Sequence, residues 1–229
     1  MKSKSGLRVG IVRFPGSNCD HDTLNYFTAF GHRPLFLWFK DTRIPAVDLI
    51  VLPGGFAFGD RVYAKATASY TIDPGKLALT SPIMKPLRAL AEKGMPILGI
   101  CNGFQILVKA GMLPGVLLQN DSKKFFCDYV DCTVTGNSFF SNNKLLGKTF
   151  SIPVAHGYGK YSVSKKEAAA LRRNGQVFLE YKSINPNGST DDIAGVCNKE
   201  QTIFGMMPHP ERSPRREYFM HAIESYVRK

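Results

Sequence analysis

The stretch LGICNGFQI, residues 98–106, holds the residue types best suited to covalent chemistry. A wholly apolar run feeds Gly99-Ile100-Cys101-Asn102-Gly103, and a helical pattern starts within two residues. G-x-C-x-G at such a junction is the thiol counterpart of the G-x-S-x-G nucleophile elbow, a sharp turn that lifts the nucleophile clear of a sheet. Glycine two positions before and after Cys101 leaves room for helix to pack on strand. Only a few per cent of an ordinary thiol is ionised at neutral pH, and the partial positive charge of a helix N-terminus favours the thiolate. A cysteine taken at random is more often a packing residue; the two glycines at a strand–helix junction point instead to a nucleophile.

A thiolate nucleophile needs a base and a site for the developing oxyanion. MMPHPE (206–211) follows an apolar run, and Pro208 and Pro210 each hold φ near −65° and disfavour helix at the residue before. His209 is therefore expected to be extended, with Glu211 two positions on pointing to the same side and fixing the imidazole tautomer. A Cys101–His209–Glu211 triad follows as an expectation, joined only by the fold. LIVLPGGFAFGD (49–60) ends another apolar strand in Gly54-Gly55, where backbone N–H groups can turn towards a ligand. One of these with the N–H of Asn102 makes a candidate oxyanion hole. The rival reading, a phosphate loop, finds neither G-x-x-x-x-G-K-[ST] nor G-x-G-x-x-G here. Among the remaining histidines, His21 lies in Cys19-Asp20-His21, which places a thiol and an imidazole close in sequence but lacks an elbow and is expected to cap a helix. His156, in PVAHGYG, has small neighbours that imply close approach to a pocket, and His221 reads as structural within the last helix.

The elements that must position these groups alternate. Strand-like runs at 7–14, 34–39, 47–55 and 96–100 are separated by helical patterns at 22–31, preceded by Asn18 and Asp20 as helix-start residues, after Pro86 up to Gly94, and at 104–112. This order predicts a doubly wound α/β sheet, with the short apolar PILGI in its middle. The second half reads as further strands (125–136, 149–163, 176–184, 193–198, 202–211), a helix over 165–173 and a closing helix over 216–227. Residues 60–82, with Asp73-Pro74-Gly75 and Ser81-Pro82, read as a long surface excursion. No repeat or linker interrupts the 229 residues, so one domain over 1–229 is expected.

Composition narrows the classes. At 44% apolar and 21% charged the chain is ordinary globular protein and long enough for a full core. No run approaches the ~20 apolar residues of a membrane helix, and the first apolar run is too short for a signal sequence. Five widely spaced cysteines predict reduced thiols in a soluble cytoplasmic protein. Cys127 and Cys132 lack a second pair, so no metal site is expected. The net charge of +12 raises the question of nucleic acid, but the basic residues are dispersed (Lys123-Lys124, Lys165-Lys166, Arg172-Arg173, Arg215-Arg216) and no aromatic-basic recognition motif accompanies them. The charge therefore reads as a solvated surface, part of which could meet an acidic protein face.

PGSNCD (15–20), PGGFAFGD (53–60), GICNGFQIL (99–107), PVAHGYG (153–159), DIAGV (192–196) and GMMPHPER (205–212) together resemble the class I (triad) glutamine amidotransferases. Within these, the pattern is most similar to the small glutaminase subunits of phosphoribosylformylglycinamidine synthases. The resemblance implies a flavodoxin-like, mostly parallel sheet flanked by helices, with additional strands in the second half. By position it makes Cys101 the nucleophile towards L-glutamine, His209 the proton shuttle and Glu211 its orienting group. Gly55 and Asn102 become the oxyanion donors, and Gln105, Gly54, Phe56 and His156 the substrate side. It implies no cofactor in this chain, a separate synthetase subunit that uses ATP and Mg, a small accessory subunit in many members, and neither nucleic acid nor membrane as partner. The run Arg61–Thr67 and the segment 68–82 after it depart from the family pattern. Another cysteine hydrolase of the same fold type is the alternative enzyme, and a nucleic-acid binder the alternative outside enzymology.

Overall fold

The computed structural model describes residues 5–58, 74–136 and 145–228. The first half runs β1 (Arg8–Arg13), α1 (Asp20–Ala29), β2 (Arg33–Trp38), β3 (Leu49–Leu52), α2 (Pro74–Thr80), α3 (Met84–Glu92), β4 (Ile97–Ile100) and α4 (Asn102–Lys109). The second runs β5 (Val116–Leu118), β6 (Phe126–Val134), β7 (Thr149–His156), β8 (Lys160–Ser162), α5 (Lys165–Arg173), β9 (Val177–Tyr181), β10 (Ile193–Cys197), β11 (Ile203–Met206) and α6 (Arg216–Val227).

The main sheet has the order β2-β1-β3-β4-β11-β10-β9-β6-β7, and β5 pairs with β8 in a separate ribbon. From β2 to β11 every pairing is parallel, and from β11 to β7 every pairing is antiparallel. β3, β4 and β11 are buried at every residue, as expected of strands covered on both faces. Their registers align Leu52 with Gly99 and Ile100 with Met206. The loops after these three strands consequently leave the sheet side by side, at its C-terminal edge. Open α/β sheets bind ligands at this edge, where the strand order reverses.

Two boundaries differ from expectation. Asp73-Pro74-Gly75 reads as a turn, yet α2 begins at Pro74. Proline fits the first helical position because its missing N–H would be unpaired there anyway. α2 packs against α4 and buries Ala78, so 74–80 is no surface excursion. Residues 59–73, including Arg61–Thr67, lie outside the described residues. α3 starts at Met84, two residues before Pro86, which falls in the first turn where no intrahelical donor is needed. By contrast α5 occupies Lys165–Arg173 as expected, started by a capping box in which Ser164 and Glu167 bond each other's backbone N–H.

Candidate active site

Cys101 alone joins β4 to α4, with φ 50° and ψ −105°. A positive φ on a residue with a side chain costs on the order of 1–3 kcal/mol and persists only where surroundings hold it. The Cys101 N–H donates to Met206 O of β11 at 2.8 Å, and the Cys101 carbonyl accepts the N–H of Gln105 at 3.0 Å as the first bond of α4. Both flanking glycines are required by contact. A Cβ on Gly103 would lie 2.0 Å from Leu52 O, and one on Gly99 would lie 2.6 Å from Leu107 Cδ1. The elbow is thus a close approach of α4 to β3 and β4, and it presents a buried thiol at the helix N-terminus.

His209 follows β11 and is anchored by its N–H to Pro153 O of β7, 2.9 Å away. Glu211 reaches it, but not by the expected alternation along an extended chain. Pro210–Arg212 forms a 3-10 turn with Pro210 in the first position, closed by the Arg212 N–H to His209 O at 3.2 Å. The turn folds the carboxylate back, and Glu211 Oε1 lies 2.7 Å from His209 Nδ1. Both side chains are buried, and among the described residues His209 Nε2 and Glu211 Oε2 have no nitrogen or oxygen partner. Burial alone would lower the basicity of His209. The Glu211 carboxylate and the Cys101 thiol outweigh it and raise the imidazole above its ordinary value.

Gly54 brings the two sides together. A Cβ there would stand 2.5 Å from His209 Cε1, 3.4 Å from Cys101 Cβ and 3.3 Å from Cys19 Sγ, so only a bare backbone passes between imidazole and nucleophile. With Nδ1 engaged by Glu211, Nε2 is the ring nitrogen left, and a thiol, an imidazole and a carboxylate so placed can serve as nucleophile, base and orienting acid.

The groups expected to stabilise an oxyanion sit on one tied unit. Gly55 has φ 134°, and a Cβ there would meet Asn18 N at 2.6 Å. Its loop is stitched to the loop after β1 by Phe56 N–H to Gly16 O and Phe58 N–H to Pro15 O, both 2.7 Å, and by Cys19 N–H to Gly54 O at 3.3 Å. Asn102 opens α4, where the backbone N–H has no helical acceptor. Its side chain accepts from Ala57 N–H at 3.2 Å and donates to Gln105 Oε1 at 2.9 Å. Gln105 in turn donates to Tyr158 O at 2.8 Å. Phe56 is partly exposed, its ring 6.4 Å from that of Phe125.

His156 is placed differently from the substrate-side expectation. It is buried, with Nδ1 3.2 Å from Asn120 Oδ1 and Nε2 3.5 Å from Asn187 Nδ2, so neither ring nitrogen is free. Burial pushes its pKa down to about 4, which keeps it neutral. Cys19 differs as well: it stands at the N-cap of α1 but its side chain caps nothing. Its sulfur lies beside Gly54 and accepts a hydrogen bond from Arg212 Nη2 at 3.3 Å, and burial pushes the thiol up to about 12. The neighbouring buried Asp20 pairs with Arg13, and Arg212 pairs with Asp22, so the turn carrying Glu211 is tied to α1. Two carbonyls also face the site: Ala155 O accepts from Cys101 Sγ at 3.6 Å, and Tyr158 O holds Gln105. No residue type announces a carbonyl, whereas the adjacency of Arg212 to Glu211 is a sequence signal for the tie to α1. His221 is exposed on α6 beside Glu224.

Comparison with known proteins gives the family of the chain. Residues 6–226 match the family described as CobB/CobQ-like glutamine amidotransferase domain. The phosphoribosylformylglycinamidine synthase subunit PurQ of Wolinella succinogenes is 40% identical over 209 residues, covering 90% of this chain and 91% of that protein. Its counterpart in Rubrobacter xylanophilus is 42% identical over 208 residues, covering 90% of each. Among solved structures, that of PurLQS from Thermotoga maritima contains a chain with a TM-score of 0.82 and 35% identity, covering 97% of this chain and 99% of that one. Among the described residues no helix is long and apolar enough to cross a membrane. The chain belongs to the glutamine amidotransferase family, in the branch of the phosphoribosylformylglycinamidine synthase PurQ subunits.

Proposed function

We propose that residues 1–229 form one glutaminase domain that hydrolyses L-glutamine and hands the ammonia to a separate ATP-dependent synthetase subunit, as part of a phosphoribosylformylglycinamidine synthase in the cytoplasm. The observation that carries this reading is the buried His209–Glu211 pair beside Cys101, whose backbone φ is positive, with His209 Nε2 lacking a hydrogen-bond partner among the described residues. Cys101 Sγ attacks the carboxamide carbon of glutamine while His209 Nε2 takes the thiol proton. The N–H groups of Gly55 and Asn102 hold the tetrahedral oxyanion, a contribution of about 3–4 kcal/mol for one such donor. The imidazolium, stabilised by Glu211, gives its proton to the leaving nitrogen; the C–N bond breaks, ammonia departs and a thioester remains on Cys101. His209 then takes a proton from water, the hydroxide adds to the thioester, and glutamate leaves as the thiolate is reprotonated. Gln105, Gly54 and Phe56 line the substrate side. No step needs a metal or cofactor in this chain, and ATP and Mg belong to the synthetase, with a small accessory subunit completing the complex.

The test is glutamate release by the chain alone and after mixing with the synthetase, for the native chain and Cys101→Ala. The variant is expected to lose glutamine-dependent synthesis by about a thousandfold or more, while the complex still uses ammonium salt at the native rate. Equal loss of both activities would make Cys101 a structural residue and overturn the reading.

A further inference from the structure

We propose that His156, although it has no ring nitrogen free for substrate, is a positioning residue that locks the segment 155–159 as the wall against which glutamine is oriented. This rests on the glutaminase reading above. Residues 155–159 include Gly157 and Gly159, so the segment is intrinsically loose. It nevertheless has to present two carbonyls accurately: Ala155 O to the Cys101 thiol and Tyr158 O to the amide of Gln105.

Two carboxamides clamp the ring between them, and their orientations follow from backbone donors. Asn120 Oδ1 accepts the N–H of Gly159 at 3.0 Å, so its Nδ2 must point the other way, where it donates to Lys124 O and His156 O. Asn187 Oδ1 accepts the N–H of Ser189 at 3.0 Å, so its Nδ2 is the atom that faces Tyr181 Oη and His156 Nε2. His156 Nε2 must therefore accept, and Nδ1 must carry the proton and donate to Asn120 Oδ1. The Asn120 carboxamide is saturated, with two donors and two acceptor positions in use, and it joins the 120–124 loop, His156 and Gly159. Gly159 closes the clamp: a Cβ there would lie 2.5–2.8 Å from His156 Nδ1, Cε1 and Cγ, so the ring rests flat on bare backbone. A neutral, single-tautomer ring held on both nitrogens and one face is rigid, and it sits one residue from the Ala155 carbonyl and two from Tyr158.

The experiment compares two reagents on Cys101 in the complex with the synthetase, read by mass of the Cys101 peptide. A glutamine-directed diazo-ketone needs both the thiol and a correctly shaped glutamine site; iodoacetamide needs the thiol alone. His156→Phe, which keeps the ring without its nitrogens, is expected to slow diazo-ketone labelling tenfold or more and iodoacetamide labelling less than threefold. His156→Asn, which restores a donor near the Nδ1 position, is expected to recover most of the loss. Gly159→Ala, which displaces the ring while removing no hydrogen-bonding atom, is expected to show the same selective loss and serves if His156→Phe fails to fold. Parallel loss with both reagents, or no loss with either in both variants, overturns the positioning role. Failure of the diazo-ketone to label the native chain overturns the glutaminase reading itself.

Discussion

The thiol and the base of this site are held in place by opposite means. Cys101 is positioned within residues 98–106 by backbone strain and by glycines that let α4 lie against Leu52 O. His209 is positioned by parts far apart in the chain: Pro153 O on β7, the bare backbone of Gly54 after β3, and a 3-10 turn that brings in Glu211 and is tied to α1 through Arg212. On the proposed reading the nucleophile is thus a packing feature with a chemical tip, and the base is a buried hydrogen-bonded pair assembled by distant segments. A consequence is that damage to the two sides separates: substitutions of the elbow glycines act on folding, base-side substitutions act on rate.

The widest separation is expected for Glu211→Gln. Glutamine keeps the shape and an oxygen for the Nδ1–H of His209 but removes the charge that raises the imidazole. Glutaminase kcat/KM should fall by about a hundredfold to a thousandfold, less than for Cys101→Ala, as for orienting carboxylates in triads generally. His209 should titrate lower in the variant when its ring is followed by NMR, because burial is then opposed by less. The melting temperature should change little, since a buried charge contributes weakly to net stability once a neutral isostere replaces it. A large loss of stability with unchanged rate per folded molecule would erase the contrast.

Gly103→Ala tests the other side. Its methyl group would meet backbone rather than a yielding side chain, so α4 must shift off β3, and destabilisation of about 3 kcal/mol or more is expected in denaturant unfolding. A variant as stable as the native chain but inactive would show that the elbow holds chemistry without holding structure.

This difference also explains what could be read without the structure. The elbow, the strands β1, β3 and β4 and the bounds of α5 are local patterns, each contained in about ten residues or fewer, and they emerge where expected, whereas α2 and the start of α3 do not. The pairing of His209 with Glu211 was legible as residue types, but the route was not: proline restricts φ in an extended chain and in a 3-10 turn alike, and tertiary closure on Pro153 and Arg212 selects the turn. Pro74 is ambiguous for the same reason, serving turns and helix starts equally. For Cys19 and His156 the immediate neighbours mislead, because their surroundings come from Gly54 and Arg212 in one case and from Asn120 and Asn187 in the other, contacts made across 31 to 193 positions of the chain.

The smallest effect sharpens the comparison within the base side itself, between two buried histidines shifted in opposite directions. His209 gains affinity for a proton from Glu211, while His156 loses it through burial. The unfolded chain therefore binds a proton at position 156 more tightly than the folded one, and this residue's contribution to stability rises with pH. It is fully present above the unfolded value of about 6.5 and is lost as pH falls towards the folded value of about 4. The swing amounts to about 3 kcal/mol at most. Native-chain stability measured by denaturant unfolding should decline between pH 6.5 and 4, and His156→Asn, which cannot titrate, should decline less over the same interval. Identical pH dependence in the two proteins would mean that His156 is already free to protonate in the folded state, and the single-tautomer clamp would not exist.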